Sequence, residues 1–334
     1  MYEQIAANKR KSFFVCFVFL VLIGFLGWVF TQVTGIGWYW GIGIAAVIAL
    51  AMSWTSYYYS DRIVLAMSKA RPIEPDKYPQ HKFLQNEVEG LSLAAGFTTP
   101  PRCYIIDDTA PNAFATGRNP EHGVVCVTTG LLDKLDRYEL QGVLAHEMSH
   151  IKNYDILLQT IVVVMVGVAV LLSDAIFRIA WYGGRAGGRR RSSSRDRGGS
   201  QLQLILLVVG IILAILTPLI AQMLRLWVSR KREFLADADG AMLTRYPEGL
   251  ARALEKIAGD REPLEVANKA TAHMYIINPL DAHGQRVASS LFATHPPVEK
   301  RIAALRSMGG PTAGPTAGST ASSPPSGISQ QPHE

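Results

Sequence analysis

The hydrophobic positions of this chain are concentrated in four long runs. The first two, Phe13–Phe30 and Trp38–Tyr59, each hold about twenty residues without a charge, a length that crosses the ~30 Å hydrocarbon core of a bilayer. Ile156–Ile179 and Leu202–Val228 are of similar length, although both contain charged residues. The pattern predicts a mainly α membrane protein with four hydrophobic helices in two hairpins.

The residues flanking the first hairpin predict its orientation. A cleaved signal peptide is the competing interpretation of Phe13–Phe30, but the run is too long for a signal-peptide core and no small-residue cleavage site stands out after it. Basic residues stand on both sides of the hairpin, at Lys9, Arg10, Lys11, Arg62, Lys69 and Arg71. The positive-inside rule places both flanks in the cytoplasm, together with the polar domain that follows.

The polar segments alternate between helical and strand patterns. "HKFLQNEVEGLSLAAGF" has helical periodicity and ends at Gly96, a usual stop residue. "RCYIIDD" and "GVVCVTTG" are typical of short strands, and helical spacing begins again at Leu131. Further helices are predicted in "SRKREFLADADGAMLTRY", "PEGLARALEKIAGD" and "HPPVEKRIAALRSMG". We expect an α+β domain with a small sheet.

Composition excludes several classes of function. Cys16, Cys103 and Cys126 show no CxxC spacing, which argues against a thiolate zinc site and a disulfide framework and favours three buried thiols. The excess of 33 basic over 27 acidic residues is explained by the clusters that flank the hydrophobic runs. No basic face interleaved with aromatic residues or nucleic-acid recognition motif is present, so nucleic acid is not an expected partner.

The strongest chemical signal is the stretch "GVLAHEMSHIKNYD". On a helix, His146 and His150 lie four residues apart on one face and can present two nitrogens to one ion. Glu147, about 100° round the helix, can reach a water beside that ion. This HExxH pattern predicts a zinc-dependent hydrolase in which Glu147 takes a proton from water and passes it to the leaving amine.

A catalytic zinc site usually takes a third protein ligand. The metzincin continuation is excluded because Asn153 and Ile156 stand where glycine and histidine are required. Glu233 is the better candidate, since Asp237 follows it by one turn and can hydrogen-bond the far nitrogen of a ligating histidine. The alternative for Glu233 is a membrane-border charge that balances the basic residues before it.

Four motifs together, "HEMSH", "SRKREFLADADGA", "NAFATG" and "FATHPPVEKRI", resemble the HtpX membrane metalloproteases, relatives of the CAAX prenyl endopeptidases. The resemblance implies a gluzincin-type endopeptidase in the bacterial inner membrane, with its catalytic domain facing the cytoplasm. It also implies one zinc ion per chain, held by His146, His150 and Glu233, with Glu147 as the catalytic residue. By analogy with other gluzincins, Asp237 is expected to contact His146. Damaged or misassembled membrane proteins are the implied substrates, and self-cleavage is a related hypothesis.

Further site residues rest on the same resemblance. His295 and Arg301 match positions where the related enzymes place active-site donors, which can stabilise an oxyanion. The alternatives are a helix-entry residue for His295 and a solvated helix face for Arg301. Asn112, Ala113 and Phe114 are predicted to bind substrate main chain as an exposed edge strand, with a plain turn as the alternative.

These signals predict an organisation in five parts: a transmembrane hairpin at 1–60, two halves of the catalytic domain at 61–155 and 229–308, a second hairpin at 156–228 and a disordered tail at 309–334. The arginine-rich loop 183–200 of the second hairpin conflicts with the positive-inside rule if it lies outside. A hairpin that enters the bilayer without crossing is the alternative, but we favour crossing because an unsatisfied turn in lipid costs several kcal/mol.

Two other classes of protein are disfavoured. A membrane adaptor that holds zinc for structure would close the fourth position with protein and would not need Glu147. A transporter calls for paired polar groups at mid-membrane, and Asp174 alone does not supply them.

Overall fold

The computed structural model describes residues 6–14, 17, 21, 38–161, 230–267, 271–279 and 296–309. Residues 6–14 are helical, and helix α1 spans Trp38–Met67. Among the helices described, none is both long enough and apolar enough to cross a membrane, so the span predicted at Trp38–Tyr59 is not confirmed. The other three hydrophobic runs, the loop 183–200 and the tail lie wholly or mostly outside the described residues.

The predicted helix after the first hairpin is confirmed as α2, Pro79–Ala95. Pro79 stands in its first turn, where the missing N–H costs no helical hydrogen bond. The helix ends because Gly96 adopts φ 75°, in the left-handed region, and its N–H bonds to the carbonyls of Leu93 and Ser92.

A mixed four-stranded sheet holds both predicted strands. It comprises β1 (Arg71–Pro72), β2 (Arg102–Ile106), β3 (Ala113–Thr116) and β4 (Val124–Thr128) in the order β1-β2-β4-β3. The pair β2 and β4 is parallel, whereas β1 and β3 pair antiparallel to β2 and β4 respectively. All five residues of β4 are buried, as expected for a central strand covered on both faces.

Strand β3 lies at the edge of this sheet, but the prediction that it is exposed is wrong. Its four residues are at most 2% exposed. The Ile276 N–H donates to the Ala113 carbonyl at 2.9 Å, so another part of the chain covers the edge there.

The helical pattern beginning at Leu131 is divided into two helices, α3 (Thr129–Lys134) and α4 (Arg137–Lys152). The division arises at Asp136, whose side chain accepts hydrogen bonds from the Tyr138 and Glu139 N–H groups. The Glu139 carboxylate in turn accepts from the Asp136 N–H, completing a capping box. Helix α4 carries the HExxH residues.

Two later helices pack on α4, α5 (Arg230–Thr244) and α6 (Pro247–Gly259), and a third, α7 (Val298–Met308), packs on those two. Two glycines allow close approach. A Cβ at Gly240 of α5 would lie 3.1 Å from the backbone nitrogen of His146. A Cβ at Gly142 of α4 would lie 2.7 Å from the backbone nitrogen of Leu250. Helix α5 therefore packs closely on the turn of α4 that carries His146.

Candidate metal centre

His146, His150 and Glu233 come together in one buried cluster, with one ligand atom of each lying within 4.8 Å of the others. The two Nε2 atoms are 3.3 Å apart, because residues four apart share a helix face. Glu233 Oε1 lies 3.5 Å from His150 Nε2, and Oε2 lies 3.9 Å from His146 Nε2. Two imidazoles and a carboxylate are the donor set of many catalytic zinc sites, so these residues fit the ion that the sequence predicts.

The remaining nitrogen of His146 is held by Asp237, whose Oδ1 lies 2.9 Å from Nδ1. This is the partner expected by analogy. A carboxylate accepts a hydrogen bond, so Nδ1 carries the proton and the lone pair of Nε2 faces the cluster. Asp237 stands one turn beyond Glu233 on α5, so a single helix supplies the carboxylate of the cluster and the support for His146.

Arg301 is fully buried beneath this pair, so the alternative of a solvated helix face is wrong. Its Nε donates to Asp237 Oδ2 at 2.9 Å and its Nη2 to Oδ1 at 2.7 Å, in the two-pronged geometry of strong guanidinium–carboxylate pairs. Nη1 donates to the Ile276 carbonyl at 3.0 Å and lies 3.7 Å from Glu233 Oε2. Helix α7 thereby anchors Asp237 and brings a positive charge to the cluster.

His150 has a support that the sequence analysis missed. Asp155 Oδ2 lies 3.0 Å from His150 Nδ1. Asp155 therefore orients the ring of His150 in the same way that Asp237 orients the ring of His146. Asp155 is the first carboxylate after the HExxH motif, in "KNYD", and that position was the available signal. The turn that brings it back to His150 includes Tyr154 at φ 58°, which helical periodicity does not predict.

The pKa values of the two histidines are shifted in opposite directions. Burial lowers the pKa of His146, and the nearby charge of Arg301 lowers it further, against the contrary effect of Asp237. Burial also disfavours the charged form of His150, but the Asp155 hydrogen bond and the charges of Glu233, Asp155 and Glu147 outweigh it and raise its pKa to about 9. The nearby carboxylates therefore stabilise a positive charge at the position of His150.

Glu147 lies beside the cluster and is 2% exposed. Its charge is among those that raise the pKa values of His150 and Arg301. The HExxH spacing thus delivers all three of its polar side chains to one buried region.

The predicted substrate-binding residues lie in the interior instead. Asn112 Nδ2 donates to the Ile277 carbonyl at 3.0 Å, and the ring of Phe114 meets that of Tyr275 edge-on at 5.2 Å. The segment 271–279 therefore covers Asn112, Ala113 and Phe114, and the structure gives them packing contacts instead of an exposed edge. His295 lies outside the described residues.

Comparison with known proteins adds to this geometry. Residues 79–309 match the model of peptidase family M48. The chain is 48% identical over 308 residues to a "Protease HtpX homolog" of Dictyoglomus turgidum, covering 92% of this chain and 95% of that protein. It is 44% identical over 313 residues to one of Thermoanaerobacter pseudethanolicus, covering 92% and 98%. The crystal structure of S. mikatae Ste24p has a TM-score of 0.45 and 20% identity, covering 91% of this chain and 67% of that one.

Proposed function

Because this chain belongs to peptidase family M48 and is a metalloprotease, we propose that it is a membrane-integrated zinc endopeptidase that hydrolyses misfolded or damaged membrane proteins. The observation that carries the zinc assignment is the buried cluster of His146, His150 and Glu233. The four hydrophobic runs and their basic flanks support a multi-pass protein of the bacterial inner membrane, with this site facing the cytoplasm.

In this proposal, His146 and His150 bind the ion through Nε2 and Glu233 binds it through its carboxylate. Asp237 and Asp155 support this role because each accepts from Nδ1 of one histidine, which directs both Nε2 atoms at the cluster. The ring orientations of both ligands are therefore already set, and metal binding would displace the Nε2 proton that a pKa of about 9 keeps on His150.

Glu147 is the proposed general base. Zinc, when bound, polarises the scissile carbonyl and lowers the pKa of the attacking water. Glu147 accepts the proton of that water and donates it to the leaving amine. Its carboxylate is close enough to His150 and Arg301 to raise the pKa of both groups, which supports a position beside the cluster.

Arg301 supports the site from behind His146. Its Nη2 lies 3.4 Å from His146 Nε2, and its shorter hydrogen bonds, of 3.0 Å or less, go to Asp237 and the Ile276 carbonyl. We therefore propose a positioning role for Arg301 through Asp237. The assignment of an oxyanion donor to His295 or Arg301 continues to rest on the resemblance to related enzymes.

The test compares full-length wild-type protein with Glu147→Gln in detergent, on a denatured membrane protein as substrate. We expect the wild type to cleave, to lose activity with a chelator and to regain it with zinc. Glu147→Gln should keep one zinc per chain and lose at least about 10²-fold in rate, the usual minimum for a general base. The matched control is Glu121→Gln, the same change at an exposed position, which should cleave at the wild-type rate.

Two outcomes would contradict the proposal. Equal cleavage by Glu147→Gln and wild type would remove Glu147 from the chemistry, and zinc binding without cleavage by either would favour a structural adaptor. The same preparations test self-cleavage, because identical fragment patterns with and without Glu147 would exclude it.

A further inference from the structure

Asn8, in the helical segment 6–14, is far from the metal cluster in sequence yet buried against it, with 3% of its surface exposed. Its Nδ2 donates to Asp155 Oδ1 at 2.7 Å and to the Asn153 carbonyl at 2.9 Å. Asp155 is the carboxylate that accepts from His150 Nδ1 through its other oxygen. A hydrogen-bonded chain therefore runs from Asn8 through Asp155 to His150.

The same amide also faces the segment that carries Glu233. Arg232, the residue before Glu233, places Nη1 3.2 Å from Asp155 Oδ1 and 3.5 Å from Asn8 Oδ1. The partners determine the orientation of the amide, because a flipped Asn8 would turn its oxygen towards a carboxylate and a carbonyl and its NH₂ towards a guanidinium. Asn8 thus contacts both parts of the chain that supply the cluster.

Burial makes these bonds consequential. Asp155 is 3% exposed, and a buried carboxylate that loses a donor is destabilised because water cannot replace the bond. Without Asn8, the longer contact to Arg232 would be the one hydrogen bond left to Asp155 Oδ1 among the described residues, and Asp155 would be held less firmly against His150. Lys9 lies 4.4 Å from the ring centre of Tyr154, so the segment packs along the whole turn 153–155.

We propose that Asn8 is a positioning residue of the metal centre and that the N-terminal helical segment is part of the site. This inference rests on the proposed function, in which His150 and Glu233 are zinc ligands. Asn8 acts one bond further from the ion than Asp155. A direct partner of a ligating histidine is worth about 10- to 100-fold in metal affinity, so we expect about 3- to 10-fold from Asn8.

The experiment measures zinc affinity of the full-length protein in detergent by competition with a chromophoric chelator. The variants are Asn8→Ala, Asn8→Ser and Asn8→Asp. Ser12→Ala is the matched control, because Ser12 is also buried in this segment but donates only to the Asn8 carbonyl of its own helix. The visible absorption of the Co²⁺-loaded proteins reports the geometry of the ligands independently of affinity.

Asn8→Ala and Asn8→Ser should each weaken zinc binding about 3- to 10-fold and alter the Co²⁺ spectrum, while Ser12→Ala matches the wild type. Asn8→Asp should be the weakest binder, because it places a second carboxylate against Asp155. A role limited to packing predicts the opposite order, since Asn8→Asp preserves the shape of the side chain. This inference alone would be overturned if the wild type binds zinc and all three Asn8 variants match its affinity and spectrum. A wild type that binds no zinc would instead overturn the proposed function.

Discussion

The packing of the metal helix on α6 leads to a quantitative prediction for Gly142→Ala. Gly142 lies one turn before His146, and a methyl group there would sit 2.7 Å from the Leu250 nitrogen and 2.8 Å from its Cα. Ordinary contact needs about 3.5 Å, so α6 must move by roughly 0.7 Å or more. The contacted atoms are backbone, and no side-chain rotation can relieve the overlap.

The expected cost follows from two opposing effects. Overpacking a well-filled core costs about 1–3 kcal/mol. Replacing glycine by alanine inside a helix recovers about 0.5–1 kcal/mol of backbone entropy. We expect a net loss of about 1–2 kcal/mol, which corresponds to a decrease in Tm of roughly 2–8 °C for a domain of this size.

The assay is thermal unfolding of the full-length protein in detergent, followed by the loss of helical circular dichroism, with excess chelator so that metal binding does not add stability. Gly90→Ala is the matched control, because Gly90 lies within α2 and a Cβ there meets nothing within 4 Å. The control should melt at or slightly above the wild-type temperature. A Gly142→Ala protein that melts as high as the control would refute the close approach of α4 and α6.

Three further predictions concern the buried charges, the thiols and the second hairpin. Asp237→Ala should weaken zinc binding about 10- to 100-fold, and unchanged zinc affinity would remove Asp237 from the site. The same change should destabilise the metal-free protein by about 3–5 kcal/mol, because it leaves Arg301 buried without its carboxylate, and adding Arg301→Met should restore part of that stability. Burial raises the pKa of Cys103 to about 12 and also raises that of Cys126. A pKa near 12 leaves about 10⁻⁴ of a thiol ionised at pH 8. In a Cys16→Ser background, the folded protein should therefore react with Ellman's reagent at about pH 8 only in traces. Both should react after denaturation, and rapid reaction of the folded protein would contradict the raised pKa values of the two thiols. Ser193→Cys in a Cys-free background should be labelled by an impermeant thiol reagent on intact cells if the second hairpin crosses the membrane, and labelling only after permeabilisation would place the loop inside.

What the sequence determined by itself is local. The separation of His146 and His150 by four residues dictates a shared helix face, because helical geometry repeats every 3.6 residues. The end of α2 at Gly96 likewise depends on atoms within a few residues. The third member of the cluster, Glu233, was identified by its spacing to Asp237 and by a resemblance, both of which are properties of the sequence. The capping box at Asp136 is equally local, but the helical pattern from Leu131 runs through it, so the division between α3 and α4 was not predicted.

Only the tertiary structure decided which groups support and cover that cluster. The sequence alone favours a surface position for Arg301, because its helix is rich in charges. Arg301 is nevertheless buried, because Asp237 on another helix neutralises its charge. Strand β3 has the composition of an exposed edge, and it is covered because Ile276 donates to Ala113. Asn8 and Asp155 are 147 positions apart along the chain. No periodicity relates such residues, because their contact depends on how whole helices pack, and that packing depends on close approaches such as the one at Gly240, where the absence of a side chain lets α5 bring Glu233 to the histidines.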